Sequence, residues 1–304
     1  MSPSRRVLVT GAAGFTGRHL TRALAARGCT VVGLVEQAGE PVPDGVTPLV
    51  ADLNDAAGLA AAVAHAAPDQ VVHLAAISFP GHADAAAIYR VNLEGTLALL
   101  QALAAGGFGA QGVLLPSTAT VYAAAGAPLT EDAPVQPPSH YAVSKLAMEH
   151  MARLFAARLP IVTVRPFNYT GPGQREPFLV PKIVRHFAQR ADVIELGNVD
   201  VERDFLDVRV VVDAYCRLLD TPAAVGGTFN VCSGRAVAVR SLVTRLSAIT
   251  GHAMAIRVNP AFVRAGEPAR ITGSAARLVA AIGPLRDVPL ADTLTAMLEA
   301  ATAG

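Results

Sequence analysis

Two residues four apart, Tyr141 and Lys145, carry side chains that suit acid–base chemistry. On a helix these two positions share one face. There an ammonium can lower the pKa of a phenol and hold it ready for proton transfer near neutral pH. A hydroxyl from another segment, Ser117-Thr118, can orient the reacting oxygen. Such a set adds or removes hydride at a carbon that carries oxygen. This spacing of Tyr and Lys is common on helices, so the neighbouring motifs must show whether the pair is catalytic.

Three glycines, Gly11, Gly14 and Gly17, follow a predicted strand and open a predicted helix. Gly11 permits a tight turn, Gly14 lets the backbone approach a pyrophosphate, and Gly17 lets the helix pack on the strand. The helix N-terminus adds its dipole and its N–H groups. The alternative is a glycine-rich turn in an ordinary α/β protein. The pattern favours a dinucleotide site.

Two carboxylates follow the next predicted strands. Glu36 can accept both hydroxyls of an adenosine ribose and repel a 2′-phosphate, which favours NAD over NADP. Asp52 is placed to meet the adenine amine. Each has an alternative: Glu36 as a solvated strand end, and Asp52 as the N-cap of the next helix.

Apolar runs alternate with helical patterns, which is typical of a parallel sheet covered on both faces. We therefore expect an α/β fold: a doubly wound parallel Rossmann sheet with a smaller C-terminal α/β substrate lobe. The predicted domains are residues 1–165 and 166–304, interleaved by a returning strand near 227–232. Strands are predicted at 6–9, 31–35, 46–50, 70–74, 112–115 and 161–164, and helices near 15–27, 55–66, 83–105, 139–158, 176–190, 239–250 and 289–301.

Composition excludes several classes of function. The chain has 304 residues, 52% of them hydrophobic and 16% charged, with a net charge of +1. Nothing in that charge indicates nucleic-acid binding, and no apolar run is long enough to span a membrane. The three cysteines, Cys29, Cys216 and Cys232, lack metal-like spacing and favour a reducing cytoplasm. No metal is expected.

Further motifs accompany these residues along the chain: Val9 to Gly17, His73-Leu74-Ala75-Ala76, Asn92-x-x-Gly95-Thr96, 117–122, Tyr141-x-x-x-Lys145 and Arg165-Pro166-Phe167-Asn168. Together they resemble the extended short-chain dehydrogenase/reductases that act on nucleotide sugars, the NAD-dependent epimerase/dehydratase family. Three segments resemble most the GDP-4-keto-6-deoxy-D-mannose reductases of that family: 165–174, Arg203-Asp204-Phe205-Leu206-Asp207-Val208 and 230–234.

The resemblance implies roles for individual residues. Tyr141 would protonate the sugar O4 as hydride reaches C4, Lys145 would bind the nicotinamide ribose, and Thr118 would hydrogen-bond the same oxygen. Implied cofactor contacts are Gly11, Gly14, Phe15, Thr16, Gly17, Glu36, Asp52, Leu53, Leu74, Ala75, Ala76, Asn92, Tyr141, Lys145 and Pro166. Implied substrate contacts are Ser78, Thr118, Asn168, Lys182, Arg203, Arg264 and Glu267, the arginines and Glu267 having surface ion pairs as the alternative.

One departure from the family pattern separates reactions. The 4,6-dehydratases need an acidic residue where this chain has Ala119-Thr120, so elimination of water is not expected. The hypothesis is an NAD(P)H-dependent reductase that makes GDP-D-rhamnose or GDP-6-deoxy-D-talose. The first alternative is an NAD-dependent nucleotide-sugar C4 epimerase. The second is a dinucleotide sensor without catalysis.

Two histidines near these motifs, His73 and His140, are expected to be structural, because His73 lies in a buried-strand pattern and His140 precedes Tyr141 on a helix. The helices near 83–105 and 139–158 are rich in Ala and Leu. Because the family pairs two such helices from each subunit, the resemblance implies a homodimer.

Overall fold

The fold is taken from a computed structural model, which describes residues 4–79, 81–107, 109–123, 128–263 and 268–302. Strands and helices alternate from the N-terminus. The first half contains β1 (Arg6–Thr10), α1 (Phe15–Ala26), β2 (Thr30–Val35), β3 (Val46–Val50), α2 (Ala56–Ala66), β4 (Gln70–His73), α3 (Ala85–Tyr89), α4 (Gly95–Ala105), β5 (Gly112–Pro116) and α5 (His140–Arg153). The second half contains β6 (Ile161–Pro166), β7 (Asn168–Thr170), α6 (Leu179–Ala188), β8 (Val193–Leu196), β9 (Glu202–Asp207), α7 (Val208–Leu219), β10 (Thr228–Val231), β11 (Ala236–Ala238), α8 (Val239–Thr250), β12 (Ala255–Val258), β13 (Arg270–Ile271), α9 (Ala276–Ile282) and α10 (Leu290–Thr302).

The central sheet has seven strands in the order β10-β6-β5-β4-β1-β2-β3, and every pair is parallel. The chain winds outward in both directions from the β1/β4 neighbours, so a crevice opens at the carboxyl ends of these strands. The predicted doubly wound parallel sheet is confirmed. The edge strand β10 pairs with β6 from far along the chain, with Asn230 opposite Arg165.

Apolar side chains cover both faces of this sheet. On one face α1 and α7 pack against the strands through residues such as Leu20 and Tyr215. On the other face lie α2, α4 and α5, with Leu99 and Met148 fully buried. This two-sided burial explains why the strands read as continuous apolar runs in the sequence.

A smaller group of elements completes the fold. Strand β9 pairs with β7, β11 and β13, and β8 pairs with β12. A separate core of buried residues, including Ile183, Leu246 and Leu294, joins α6, α8 and α10. These elements face the carboxyl ends of the central strands.

Several predicted elements differ from the structure. The helix expected near 83–105 contains a π-helical segment, Arg90–Glu94, between α3 and α4. Helix α5 ends at Arg153 instead of continuing to 158, and the sequence did not predict α7. None of the helices in the described residues is long and apolar enough to cross a membrane.

Candidate active site

A cleft of about 1360 Å³ lies along the carboxyl ends of the central strands. Residues directly after β1 to β6 form one wall, and residues of the smaller group of elements form the other. Parallel α/β sheets bind ligands at this edge. The described residues of the predicted site line this cleft with one exception, Asn92.

The glycine-rich turn joins β1 to α1. Gly11 has φ +66°, and a Cβ there would lie 2.8 Å from the amide nitrogen of Ala75. A side chain at Gly17 would overlap the carbonyl of Gly11. Gly14 is the N-cap residue of α1 and has no side chain to fill the cap, so the first N–H groups of the helix face the cleft. This geometry fits a pyrophosphate at the helix N-terminus.

Acidic and polar residues surround the adenosine end of the cleft. Glu36 follows β2 and lines the cleft together with Glu40. Asp52 also lines the cleft, and its carboxylate accepts hydrogen bonds from the backbone and side-chain amides of Asn54, both 2.8 Å long. The helix that follows is capped by Asp55, which accepts from the amide of Gly58 at 3.0 Å. The alternative reading of Asp52 as that N-cap was therefore wrong.

Thr118, Tyr141 and Lys145 converge on the inner part of the cleft. Their exposed fractions are 7%, 9% and 4%. Helix α5 begins directly before Tyr141, because Ser139 caps it by accepting from the amide of Ala142 at 3.2 Å. The Lys145 ammonium donates to the carbonyl of Pro116 at 2.9 Å, which anchors it beside the end of β5.

The pKa shifts in this group correct one expectation. Burial raises the pKa of Tyr141, Tyr169 adds to the rise, and the Thr118 hydroxyl opposes it. Burial also lowers the pKa of Lys145 to about 8, against the opposing charge of Glu149. The predicted lowering of the phenol pKa by Lys145 is not found in the protein alone, where burial has the largest effect on Tyr141. Tyr141 is thus protonated at neutral pH.

His73 lies in a chain of hydrogen bonds beneath the cleft wall. The Thr10 hydroxyl accepts from the amide of Ala75 at 3.0 Å and donates to His73 Nδ1 at 2.8 Å. His73 Nε2 donates to the Thr96 hydroxyl at 3.0 Å, which donates to the carbonyl of Asn92 at 2.7 Å. Burial and the charge of Lys145 lower the pKa of His73 to about 3. His73 is a neutral structural residue.

Asn92 supports the cofactor wall from behind. Its side chain bonds the amide and the carbonyl of Ile77, at 2.8 and 3.0 Å, and donates to the Ser144 hydroxyl at 3.1 Å. The π-helical segment places this amide where it joins the loop after β4 to α5. This differs from the direct cofactor contact implied by the resemblance. His140 bonds the Tyr89 hydroxyl at 3.0 Å, outside the cleft lining.

The other predicted substrate residues line the outer cleft, where Ser78 follows β4. Asn168 donates to the carbonyl of Asp204 at 3.3 Å. Lys182 donates to the carbonyl of Glu195 at 2.7 Å and lies 4.6 Å from the centre of the Phe262 ring. Arg203 donates to the carbonyls of Glu202 and Pro268, at 2.8 and 2.9 Å. Arg264 and Glu267 lie outside the described residues.

Sequence reasoning missed two features of the site. The Tyr169 hydroxyl lies 2.8 Å from that of Thr16, and the Tyr169 ring stacks on Phe15 with centroids 6.1 Å apart. The rings of Phe79 and Phe178 meet edge to face across the cleft, with centroids 6.0 Å apart. The contacts of Tyr169 could have been indicated only by its position next to Asn168 in a recognised motif. No sequence signal indicated the contact between Phe79 and Phe178.

The model of the NAD dependent epimerase/dehydratase family matches residues 7–232. This chain belongs to that family, and it is therefore an enzyme of the short-chain dehydrogenase/reductase type, as its motifs predict. It is 37% identical to the GDP-6-deoxy-D-mannose reductase of Pseudomonas aeruginosa, over 97% of this chain and 96% of the relative. It is 33% identical to the GDP-6-deoxy-D-talose 4-dehydrogenase of Aggregatibacter actinomycetemcomitans, over 91% of each.

A solved structure gives the same result for the fold. The structure of RMD from Pseudomonas aeruginosa complexed with NADPH superposes with a TM-score of 0.86 and 33% sequence identity, covering 99% of each chain. The similarity therefore extends through both the central sheet and the smaller group of elements.

Proposed function

We propose that this chain reduces the C4 keto group of GDP-4-keto-6-deoxy-D-mannose with NADH or NADPH. The observation that carries the proposal is the convergence of Thr118, Tyr141 and Lys145 beside a glycine-rich turn in one cleft. The names of both relatives contain a GDP-linked 6-deoxy sugar, which supports the substrate class. The product is GDP-D-rhamnose or GDP-6-deoxy-D-talose, depending on the face of the ketone that is attacked.

Three side chains divide the chemistry. The bound nicotinamide supplies the hydride that C4 receives. Tyr141, which is protonated at neutral pH, gives its proton to O4. Thr118 orients the same oxygen, and Lys145 binds the nicotinamide ribose from its anchor on Pro116. Burial excludes water from all three, which strengthens these polar contacts.

The outer cleft suits the nucleoside diphosphate. Arg203 and Asn168 would bind the diphosphate, because a guanidinium matches phosphate oxygens and an amide donates to them. Ser78 and Lys182 would complete the substrate contacts. Arg264 and Glu267 stay predictions for the phosphate and the nucleotide ribose.

The adenosine end of the cleft favours NAD over NADP. Glu36 and Glu40 add negative charge there, and a 2′-phosphate would meet their repulsion. The basic side chains Lys145, Lys182 and Arg203 line the nicotinamide and substrate regions of the described cleft. A related structure contains NADPH, so membership of the family does not fix the cofactor. The proposed preference of this chain for NAD over NADP therefore rests on Glu36.

A direct assay separates this function from its alternatives. Incubation with NADH and the keto sugar should consume both in a one-to-one ratio and yield an alcohol. An epimerase would interconvert two sugars without net loss of NADH, and a sensor would bind NADH without turnover. Either of those results would overturn the proposed reaction. The absence of a carboxylate at Ala119-Thr120 argues against elimination of water.

A binding screen tests the nucleotide independently of turnover. Ligands that bind only the folded state raise the unfolding temperature by mass action. GDP should raise it more than UDP, dTDP or CDP at equal concentration, with NAD present throughout. A larger shift with UDP or dTDP would contradict the assignment of a GDP-linked substrate.

The assembly proposed for this chain is a homodimer. One stripe of α5 and its C-cap residue is exposed or half-buried at positions spaced by four, three and four residues: Val143, Ala147, His150 and the C-cap Leu154. Leu154 is 82% exposed and Val143 is 37% exposed, so the stripe presents apolar surface at both ends. A second copy would cover this stripe. Light scattering should give twice the mass of one chain for the parent protein. Ala147→Arg places a charge in the proposed interface and should lower the measured mass to that of one chain. A parent protein with the mass of one chain would contradict the dimer.

We also propose separate binding roles for the two parts of the chain and a cytoplasmic location. Residues 1–165 would bind the dinucleotide and 166–304 the nucleotide sugar, with β10 as the strand that returns to the first part. Three free cysteines support a reducing cytoplasm: Cys29, Cys216 and Cys232.

A further inference from the structure

Thr118 and Thr120 bring two hydroxyl groups together just after β5. Thr118 caps a short 3₁₀ helix, Ala119–Val121, and its Oγ1 accepts a hydrogen bond from the Thr120 amide at 3.2 Å. The Oγ1 atoms of Thr118 and Thr120 lie 2.9 Å apart. Thr118 is buried, whereas Thr120 is exposed and lines the cleft. Thr118 Oγ1 therefore has two polar contacts with the same neighbouring residue.

The segment that carries both hydroxyls is anchored on either side. Before it, the carbonyl of Pro116 accepts from the Lys145 ammonium at 2.9 Å. After it, the buried Tyr122 side chain donates from its hydroxyl to Asn230 Oδ1 at 2.6 Å. These contacts hold the backbone in place, so the separation of the two threonine hydroxyls is set by the fold.

The hydrogen-bonding capacity of Thr118 limits how these contacts can be arranged. A hydroxyl has one proton to donate and two lone pairs that can accept. A ketone oxygen only accepts, so Thr118 must donate its single proton to orient O4. The Thr120 amide already occupies one lone pair of Thr118 Oγ1. The contact between the hydroxyls is then a hydrogen bond only if Thr120 donates into the second lone pair.

The opposite direction of that hydrogen bond would remove Thr118 from the reaction. If Thr118 donated to Thr120, the ketone oxygen would meet only a lone pair of Thr118 and would be repelled. Tyr141 supplies its own proton to O4, so it does not need Thr118 as an acceptor. The Thr120 hydroxyl can therefore donate to Thr118 while Thr118 donates to the ketone, and hydrogen bonds in such a chain polarise one another.

We propose that Thr120 is a positioning residue for the reduction: its hydroxyl donates to Thr118 Oγ1 and thereby directs the Thr118 proton to the keto oxygen. The proposal rests on the proposed function, which supplies the ketone and the role of Thr118. It gives a role to a position at which the sequence indicated only the lack of a carboxylate.

Two substitutions of Thr120 test this role. Thr120→Val keeps the branched shape and removes the hydroxyl, while Thr120→Ser keeps the hydroxyl and removes the methyl group. In Thr120→Val the single-turnover rate of reduction should fall by about fivefold, as expected for one hydrogen bond, with NADH affinity within about twofold of the parent. Thr120→Ser should retain most of the parent rate. Equal losses in both variants would contradict the proposal, because the hydroxyl would then not be the group that matters.

A double-mutant cycle shows whether Thr120 acts through Thr118. In a Thr118→Val background the proton that Thr120 directs is absent, so the addition of Thr120→Val should cause no further loss of rate. Losses that multiply would show that Thr120 acts independently of Thr118, and the proposal would be wrong.

Thr244→Val provides a matched control. Thr244 is an exposed threonine of α8 that does not line the cleft, and its hydroxyl donates to the carbonyl of Arg240 at 3.5 Å. This variant should reduce the keto sugar at the parent rate. If Thr120→Val does the same, Thr120 has no part in the reaction and the proposal alone fails. A parent protein that binds NADH and does not reduce the keto sugar would instead overturn the proposed reaction, and this proposal with it.

Discussion

The hydroxyl groups of Thr16 and Tyr169 lie 2.8 Å apart and join the start of α1 to β7 across the cleft. Two further contacts follow along the same segment: His19 bonds the carbonyl of Pro172 at 2.9 Å, and Arg18 donates to the carbonyl of Gly173 at 3.1 Å. The helix that faces the cofactor phosphates is thus tied to the segment that follows Asn168. Cofactor and substrate walls are held in one arrangement.

Tyr169→Phe removes this hydroxyl and keeps the ring stacked on Phe15. A neutral hydrogen bond contributes about 1 kcal/mol, so NADH affinity should fall by about fivefold. Thr16→Val should give a loss of similar size, and the double variant should lose no more than either single one. Isothermal titration of the four proteins measures this. Additive losses would show that the two hydroxyls act separately.

The pH profile of turnover should have an alkaline limb. Lys145 is charged below its pKa of about 8 and neutral above it, so activity should fall as pH rises through about 8. Values of kcat/KM for NADH, from pH 6 to 10, measure the limb, because they report the groups of the free enzyme. Lys145→Met should lower turnover, weaken NADH binding and remove the limb. A parent profile that is flat to pH 9.5 would contradict the role of the ammonium.

Glu36→Ala should relax the choice of cofactor. The loss of a carboxylate at the end of β2 removes repulsion of the 2′-phosphate and the acceptor for the ribose hydroxyls. The ratio of kcat/KM for NADH to that for NADPH should fall about tenfold, with kcat within a few-fold of the parent. Glu40→Ala, which changes a charge further along the loop, is the control and should have a smaller effect. An unchanged ratio in Glu36→Ala would remove Glu36 from cofactor selection.

The central sheet and the start of α5 could be predicted because their signals are local. Buried parallel strands read as apolar runs, and Ser139 caps α5 directly before Tyr141. Helix α7 could not, since its valines favour strand conformation locally, and nine of its twelve residues are buried, which hides the helical period. The helical conformation of α7 is therefore determined by its tertiary packing.

The sequence predicted which residues line the site, but it did not predict their pKa shifts. The cleft brings together residues implied by the motifs, because many of them directly follow strands of the central sheet. Tyr141 and Lys145 reach it from α5, and Lys182 and Arg203 from the smaller group of elements. The direction of the Tyr141 pKa shift depends on burial, which spacing along the helix does not reveal. The contacts of Tyr169 likewise join segments distant in sequence, so no local pattern predicts them.

Tyr141→Phe tests the central claim most directly. The substitution keeps the ring and its packing but removes the proton that O4 would receive. Turnover of the keto sugar should fall by about 10² to 10⁴, the usual contribution of general acid catalysis, while NADH affinity stays within about twofold. Single-turnover reduction followed by NADH absorbance, with NADH affinity measured in parallel, gives both numbers. A Tyr141→Phe protein that reduces the keto sugar within a few-fold of the parent rate would contradict the assignment of α5 as the catalytic element.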